Sequence, residues 1–401
     1  YKAMMELLFY YLEPEFRVPM LNDTNYGHTS SIYYLYEFAY REIGGEKLLY
    51  VLRELYKNEE RNNLEAFIYG VDELPERNIE PTENHIEKGS GNSILRGNNQ
   101  RYLLLKHDCY GGEHDHYDRL DISYEAFGKR ISPDLGTTGY GALMHYDYYK
   151  NTGSHNTVNI DGKNQAPVNG MLTKFEEKDG IVYLEAKADW TLPYQMPDSF
   201  TIVQWDETAY RTVSMKRAII WAPEWFAEVF FVNGIPEGKK ADWVMHFSGN
   251  RIGQVIGEEV SVFSEEKAYK HLHSMVKLQS GKNDSIYQDE DVVTWVYSME
   301  TDQEVFVGMG PDNPSISDIN YRIERAEGPK AVFAHVIASA KEKQSETDLT
   351  MHETKECAND IENKNYNCPV KKVWFEQKAD SVTIHIVQAD GTNFEKQILN
   401  D

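Results

Sequence analysis

The spacing of apolar residues changes once along this chain, and that change constrains the fold more than any other feature. Before about residue 70 they recur at helical intervals: Met4, Met5, Leu7, Leu8, Tyr11 and Leu12, then Ile32, Leu35, Tyr36, Ala39 and Tyr40, then Leu48, Leu49, Leu52 and Leu55. This predicts a first helix that Pro14 interrupts, a second from about Ser30 to Ile43 stopped by Gly44-Gly45, and a third from Glu46 to about Lys57. Leu74-Pro75-Glu76 and Glu80-Pro81 read as a linker. Beyond it no helical period is sustained. Short apolar runs predict strands at 93–96, 102–106, 121–127, 157–160, 181–186, 201–205, 211–221, 227–233, 242–247 and 292–297, with further strands at 371–375, 382–387 and 395–399. The expected fold class is α+β. Helices occupy residues 1–75, a large antiparallel β-sandwich 76–340, and a small C-terminal sheet 341–401, with the polar interval from Lys341 to Asn367 as a surface excursion.

Composition excludes some functions. The net charge of −24 argues against a nucleic-acid partner, which needs a basic surface. No apolar run reaches membrane-spanning length. A chain of 401 residues that is 41% hydrophobic has material for a substantial core. Its 27 tyrosines suit both half-buried sheets and the stacking of sugars. Cys109, beside an apolar run, is expected to be a buried free thiol, and Cys357 and Cys368 could pair. No signal peptide is present, and a start at Tyr1 without Met suggests a mature form or a fragment.

Chemistry-bearing residues concentrate in Gly-Gly-Glu-His-Asp-His-Tyr-Asp-Arg-Leu at 111–120, Pro-Asp-Leu-Gly-Thr-Thr-Gly-Tyr-Gly at 133–141 and Thr-Gly-Ser-His-Asn-Thr-Val at 152–158. His116, Asp134 and His155 are too widely spaced for one helical turn but suit adjacent antiparallel strands. Two imidazoles and a carboxylate are a donor set that tetrahedral Zn²⁺ accepts, with room for a water. His114 and His116 would share a strand face, an arrangement equally open to idle surface histidines. In the loop at 20–28, Asp23 or Thr24 could start a turn, and Thr29 or Ser30 could cap the next helix.

Together these three segments resemble the heparinase II/III superfamily of polysaccharide lyases, nearest to the family-fifteen group of exo-acting oligoalginate and heparin lyases. The usual signature there is His-Gly-His; Asp115 stands in the place of the Gly. The resemblance implies a structural zinc on His116, Asp134 and His155, with His114 in the catalytic cleft. It implies that residues 1–75 end an α/α toroid whose other helices lie outside the chain. It also implies β-elimination on a uronate polysaccharide, heparin or heparan sulfate, with oligoalginate as the alternative, in the periplasm or outside the cell. In that reaction a proton leaves C5 and the glycosidic oxygen leaves C4, so the uronate carboxylate must be neutralised and a proton delivered to the leaving oxygen.

His114 and Tyr140 are therefore the candidate catalytic residues. Arg119, Tyr146 and Tyr149 are candidates for substrate contact, with Tyr148 ranked beside them, and Asp118 and Asn156 for support of the metal-bound imidazoles. Two other classes compete. A glycoside hydrolase would need two carboxyl groups flanking the scissile bond, and no motif selects such a pair. A carbohydrate-binding scaffold without activity would fit a chain that carries only part of a toroid.

Overall fold

The structure, a computed structural model, describes residues 1–24, 33–58, 60–76, 79–193, 205–281, 283–342 and 367–401. Helices α1 (Lys2–Tyr11), α2 (Tyr33–Ile43) and α3 (Glu46–Leu55) lie where the spacing places them, and α4 (Leu64–Tyr69) follows. Met5, Phe9, Leu12, Tyr36, Ala39, Leu48, Val51 and Leu52 form their shared core. The sequence reading missed α4 because it is six residues long. Its start is nonetheless marked by Asn63, whose side chain accepts from the Ala66 amide at 2.8 Å.

The remainder is β. In chain order the strands are β1 (His85–Ile86), β2 (Gly91–Gly97), β3 (Arg101–His107), β4 (Ile122–Ala126), β5 (Lys129–Ser132), β6 (Val158–Ile160), β7 (Gly170–Lys178), β8 (Ile181–Asp189), β9 (Ser214–Trp221), β10 (Trp225–Asn233), β11 (Lys240–Phe247), β12 (Asn250–Ile252), β13 (Gly257–Val260), β14 (His273–Leu278), β15 (Ser285–Asp289), β16 (Val292–Ser298), β17 (Glu304–Pro311), β18 (Asp318–Glu327), β19 (Lys330–Lys341), β20 (Val370–Lys378), β21 (Ser381–Gln388) and β22 (Asn393–Leu399). They form a five-stranded sheet (β1 to β5 in order), an eight-stranded sheet (β12-β15-β16-β19-β10-β9-β8-β7), a six-stranded sheet (β13-β14-β17-β18-β11-β6) and a three-stranded sheet (β20-β21-β22). Every recorded strand pair is antiparallel, as expected.

The eight-stranded sheet is the centre of the molecule because both its faces are apolar. Side chains alternate along a strand, so Ile219, Trp221, Phe226 and Phe230 face a core shared with the five- and six-stranded sheets. Ala218, Ile220, Ala227 and Phe231 face the three-stranded C-terminal sheet, through Val373, Val382, Ile384 and Ile398. The helices dock on the five-stranded sheet. Arg96 Nη2 donates to the carbonyl oxygens of Tyr10 (2.8 Å) and Leu12 (2.6 Å), and Tyr102 Oη to that of Tyr11 (3.0 Å). This docking lays the loop that follows α1 over the 111–158 region.

Two expectations are corrected. Cys109 is exposed, since it lies past the end of β3. The strand at 121–127 begins one residue later, at Ile122, because the segment from Asp108 to Asp121 leaves the sheet as turns and loop. Most of the strand expected at 201–205, the 341–367 excursion beyond residue 342, and Cys357 lie outside the described residues.

Between the eight- and six-stranded sheets sits a buried polar network. Glu228 accepts from Arg217 Nε (2.7 Å) and Trp243 Nε1 (3.0 Å) and contacts His335 Nδ1 (3.0 Å). His335 Nε2 lies 3.1 Å from Glu324, which accepts from Arg322. Burial alone would raise the Glu324 carboxyl, but His335 and Arg322 outweigh it and hold it down to about 2. Glu228 is held low against burial by Arg217 and His335. Burial would lower His335, but Glu324 and Glu228 outweigh it and raise it.

The signs differ for the two kinds of group. The carboxylate contribution to stability is present above the ordinary value of 4.5 and is lost as pH falls toward 2. The His335 contribution is full below its ordinary 6.5 and is lost as pH rises through its raised value. Thermal denaturation of the Glu228→Gln protein should show a loss of ~3–5 kcal/mol, the cost of leaving buried cations without their partner. A variant that melts with its parent would contradict this account.

Candidate active site and metal centre

The loop between β3 and β4 carries His114 and His116, and buried charges fix its path. Lys106, from the end of β3, reaches both carboxylate oxygens of Asp118 at 2.7 Å and Asp115 at 3.1 Å. Arg119 grips Asp115 at 2.6 Å and Asp118 at 3.2 Å and also binds Asp108. Asp115 further accepts the amides of Gly111 (3.0 Å) and His116 (3.1 Å). The residue that replaces the family's Gly is thus the anchor of the loop. From the core, Arg217 Nη1 donates to the carbonyls of Leu120 and Asn156, each at 2.6 Å, and so ties this loop to the one carrying His155.

His116, Asp118, Asp121, Asp134 and His155 are all buried together. Potential ligand atoms of His116, Asp118 and His155 lie within 4.8 Å of one another, as do those of Asp121, Asp134 and His155. His155 is common to both groups, but His116 and Asp134 fall in different ones, and no such group among the described residues holds all three expected ligands. None of the three residues expected to bind metal sits on a strand. His116 is in the β3–β4 loop, Asp134 follows β5, and His155 ends a short 3-10 turn. Asp134 is turned inward by the Gly136 amide, which donates to it at 2.9 Å. Gly136 has φ +53° and a Cβ there would run into the Thr24 carbonyl, so glycine is required.

This donor set suits a divalent cation. His116 Nδ1, both His155 nitrogens, Asp121 Oδ2 and Asp134 Oδ2 are buried without hydrogen-bond partners. Each such orphan costs ~1–3 kcal/mol. Burial, helped by the Asp118 charge, pushes the Asp134 carboxyl up to about 7. Burial and the charges of Asp134 and Asp118 also raise Asp121, and burial pushes His116 and His155 down. A bound cation would let both carboxyls ionise and use the orphaned lone pairs.

Above this cluster opens a cleft of about 270 Å³, lined by Asp23, His114, Tyr140, His145, Tyr146 and Lys150 among others. The His114 side chain is 76% exposed. Tyr140 Oη lies 3.1 Å from its Nδ1. Asp23 Oδ2 lies 2.8 Å from the same nitrogen, while Asp23 Oδ1 lies 3.2 Å from His116 Nε2 and 3.4 Å from Lys150 Nζ. Burial pushes His145 down to about 4 against the pull of Asp23.

The structure therefore brings His114, Tyr140 and Tyr146 to one cleft and removes two other candidates. Arg119 is buried with its guanidinium committed to three aspartates, and Tyr149 is buried with its hydroxyl on the Asp312 carbonyl. Tyr148 is likewise interior. Asn156 supports no imidazole; its amide donates to the Ile122 and Pro133 carbonyls and its side-chain oxygen accepts from the His246 amide. Nor do His114 and His116 share a strand face, since they leave a loop in different directions, one to solvent and one to the interior. The sequence reading missed Asp23, His145 and Lys150. Asp23 is far from the other site residues in sequence and read as a turn former, and no motif marks His145 or Lys150.

Comparisons with known proteins bear on the fold. No curated protein matches the sequence. Among solved structures, the chain is similar to a heparan sulfate lyase from Pedobacter heparinus, with a TM-score of 0.64 at 11% identity, over 99% of this chain and 52% of that one. It is also similar to two structures of heparinase III, with TM-scores of 0.60 and 0.59 at 13% and 12% identity, over 99% of this chain and 52% and 54% of theirs. The chain thus spans about half the length of these proteins, and at such identities the likeness is one of fold. The model of the heparinase II/III-like C-terminal domain matches residues 88–348, a stretch that holds the five-, eight- and six-stranded sheets apart from the His85–Ile86 edge of the first, together with every residue of the buried cluster. The chain accordingly belongs to the heparinase II/III-like C-terminal family.

Proposed function

We propose that the full-length protein is a polysaccharide lyase that cleaves a uronate-containing glycosaminoglycan of the heparin or heparan sulfate type by β-elimination. The observation that carries this reading is the His114–Tyr140 pair, set at the mouth of a cleft over a buried acid–imidazole cluster. Two proton-handling groups in hydrogen-bond contact are what elimination needs: one proton must leave C5 and another must reach the departing oxygen at C4. Lys150 offers positive charge at the same cleft, where a uronate carboxylate must be neutralised. Tyr146 offers a ring for a sugar face. The helices before Glu76 are read as the closing part of an α/α toroid whose remaining helices supply the other wall. An exo-acting mode, with oligoalginate as the alternative substrate, is the finer form of the proposal. A periplasmic or extracellular location suits such a substrate; among the described residues no helix is long and apolar enough to cross a membrane.

A zinc ion held by His116, Asp134 and His155 is part of the reading. It would act structurally, tying three loops together beneath His114. Elimination consumes no water, so no zinc-activated water is required.

Three outcomes test this. Full-length protein with heparan sulfate should generate an unsaturated uronate, followed by ultraviolet absorbance. New reducing ends without absorbance would indicate a hydrolase, and binding alone a scaffold. Product profiles on heparan sulfate and oligoalginate then settle substrate and mode.

Elemental analysis should find about one zinc per chain. His116→Ala and His155→Ala should lose metal and melt earlier, because binding is coupled to folding. Asp134→Asn should lose more metal than Asp121→Asn; the reverse order would move the ligand assignment to Asp121. His114→Ala should keep metal and stability while its turnover falls by roughly a hundredfold or more. Unchanged turnover would remove His114 from the chemistry.

A further inference from the structure

Asp23 contacts both histidines of the His-Asp-His segment, from a loop some ninety residues upstream. Its side chain is 8% exposed. One oxygen lies 2.8 Å from His114 Nδ1 and the other 3.2 Å from His116 Nε2. Lys150 Nζ lies at 3.4 Å and His145 Nε2 at 3.7 Å, and the Tyr140 hydroxyl, 3.1 Å from the same His114 nitrogen, shares this corner. Two imidazole nitrogens and the Lys150 ammonium face its oxygens, so the carboxylate is ringed by groups that can donate to it.

An ionised carboxylate can only accept hydrogen bonds, so each nitrogen facing it must carry a hydrogen. A neutral imidazole carries one. His114 is then protonated on Nδ1 with its lone pair on Nε2, and His116 is protonated on Nε2 with its lone pair on Nδ1. His116 Nδ1 is buried without a hydrogen-bond partner, on a side chain grouped with Asp118 and His155, whereas His114 is exposed at the cleft.

We propose that Asp23 is a positioning residue that sets opposite tautomers in His114 and His116, turning one lone pair to the cleft and the other to the metal cluster. Its use in the reaction rests on the lyase reading; the tautomers do not. The helical part of the chain thereby fixes the proton pattern of a site otherwise built by the β-sheets. Asparagine cannot replace Asp23, since a carboxamide presents one accepting oxygen and a donating NH₂. It can satisfy one of the two imidazoles, while the other faces a donor and must turn or lose its partner.

The test uses full-length protein labelled with ¹⁵N-histidine, with His114→Ala and His116→Ala to assign the signals. The pattern of long-range ¹⁵N–¹H couplings reports which nitrogen carries the hydrogen. Near pH 8.5, where unperturbed imidazole is neutral, the metal-free protein should show His114 as the Nδ1–H tautomer and His116 as Nε2–H. Added zinc should move the His116 Nδ1 signal and leave His114 in place. Asp23→Asn should lower zinc affinity by about ten- to a hundredfold, the usual effect of removing a carboxylate behind a liganding histidine. It should also lower kcat with little change in KM, and Asp23→Glu should recover part of both.

Like tautomers in the parent protein, or an Asp23→Asn variant with unchanged zinc affinity and kcat, would overturn the proposal. If Asp23→Asn does not fold, the tautomers of the parent still decide. Opposite tautomers in a protein without elimination activity would instead count against the lyase reading alone.

Discussion

Three aspartates and two histidines buried around one point are the constraint on which the rest of this structure depends. Asp118, Asp121 and Asp134 are shielded from water, and the charge of Asp118 raises the proton affinity of the other two. An interior tolerates that only if the acids take up protons or meet compensating positive charge. Lys106 and Arg119 supply it on the Asp118 side. On the side of Asp121 and Asp134, one oxygen of each remains without a partner beside the open nitrogens of His155. Half of a charge balance is built into the chain, and a cation would supply the other half.

The surrounding architecture holds that arrangement still. The eight-stranded sheet is packed on both faces, and a one-residue slip would exchange the side chains of the two cores and turn Arg217 and Glu228 to the wrong side. Arg217 projects from this sheet, held by Glu228, and donates to the backbone of both histidine-bearing loops. Site geometry is thereby referred to the sheet that is covered on both faces. The helices close the site from the other side, where Thr24 packs on Gly136 and Asp23 meets the imidazoles.

The periodicity of the sequence was enough to show the change from helix to strand, the antiparallel character and most strands up to Phe247. It did not show β17 to β19. In β18 the buried positions include Arg322 and Glu324, and in β19 His335, so polar residues stand where an apolar run is expected. Their burial makes sense only once the strands are paired and the ions meet. The site was partly legible in the same way. The motif segments located His114, His116, Asp134, Tyr140 and His155, because those residues are close in sequence. Arg119 and Tyr149 read as substrate contacts because their chemistry suits anions and sugars, yet each was needed inside. Asp23 was not singled out, though the resemblance left its loop a chance of facing the cleft, since only the docking of α1 on the five-stranded sheet brings it to the site.

The central claim is that this buried cluster is a metal site built around His155. Crystals of the full-length protein, grown without added metal and measured on either side of the zinc absorption edge, test it directly. The account predicts a single anomalous peak within bonding distance of His116, Asp134 and His155, strong above the edge and weak below it. A fully ordered cluster with no anomalous density, or with zinc bound elsewhere in the chain, would contradict it.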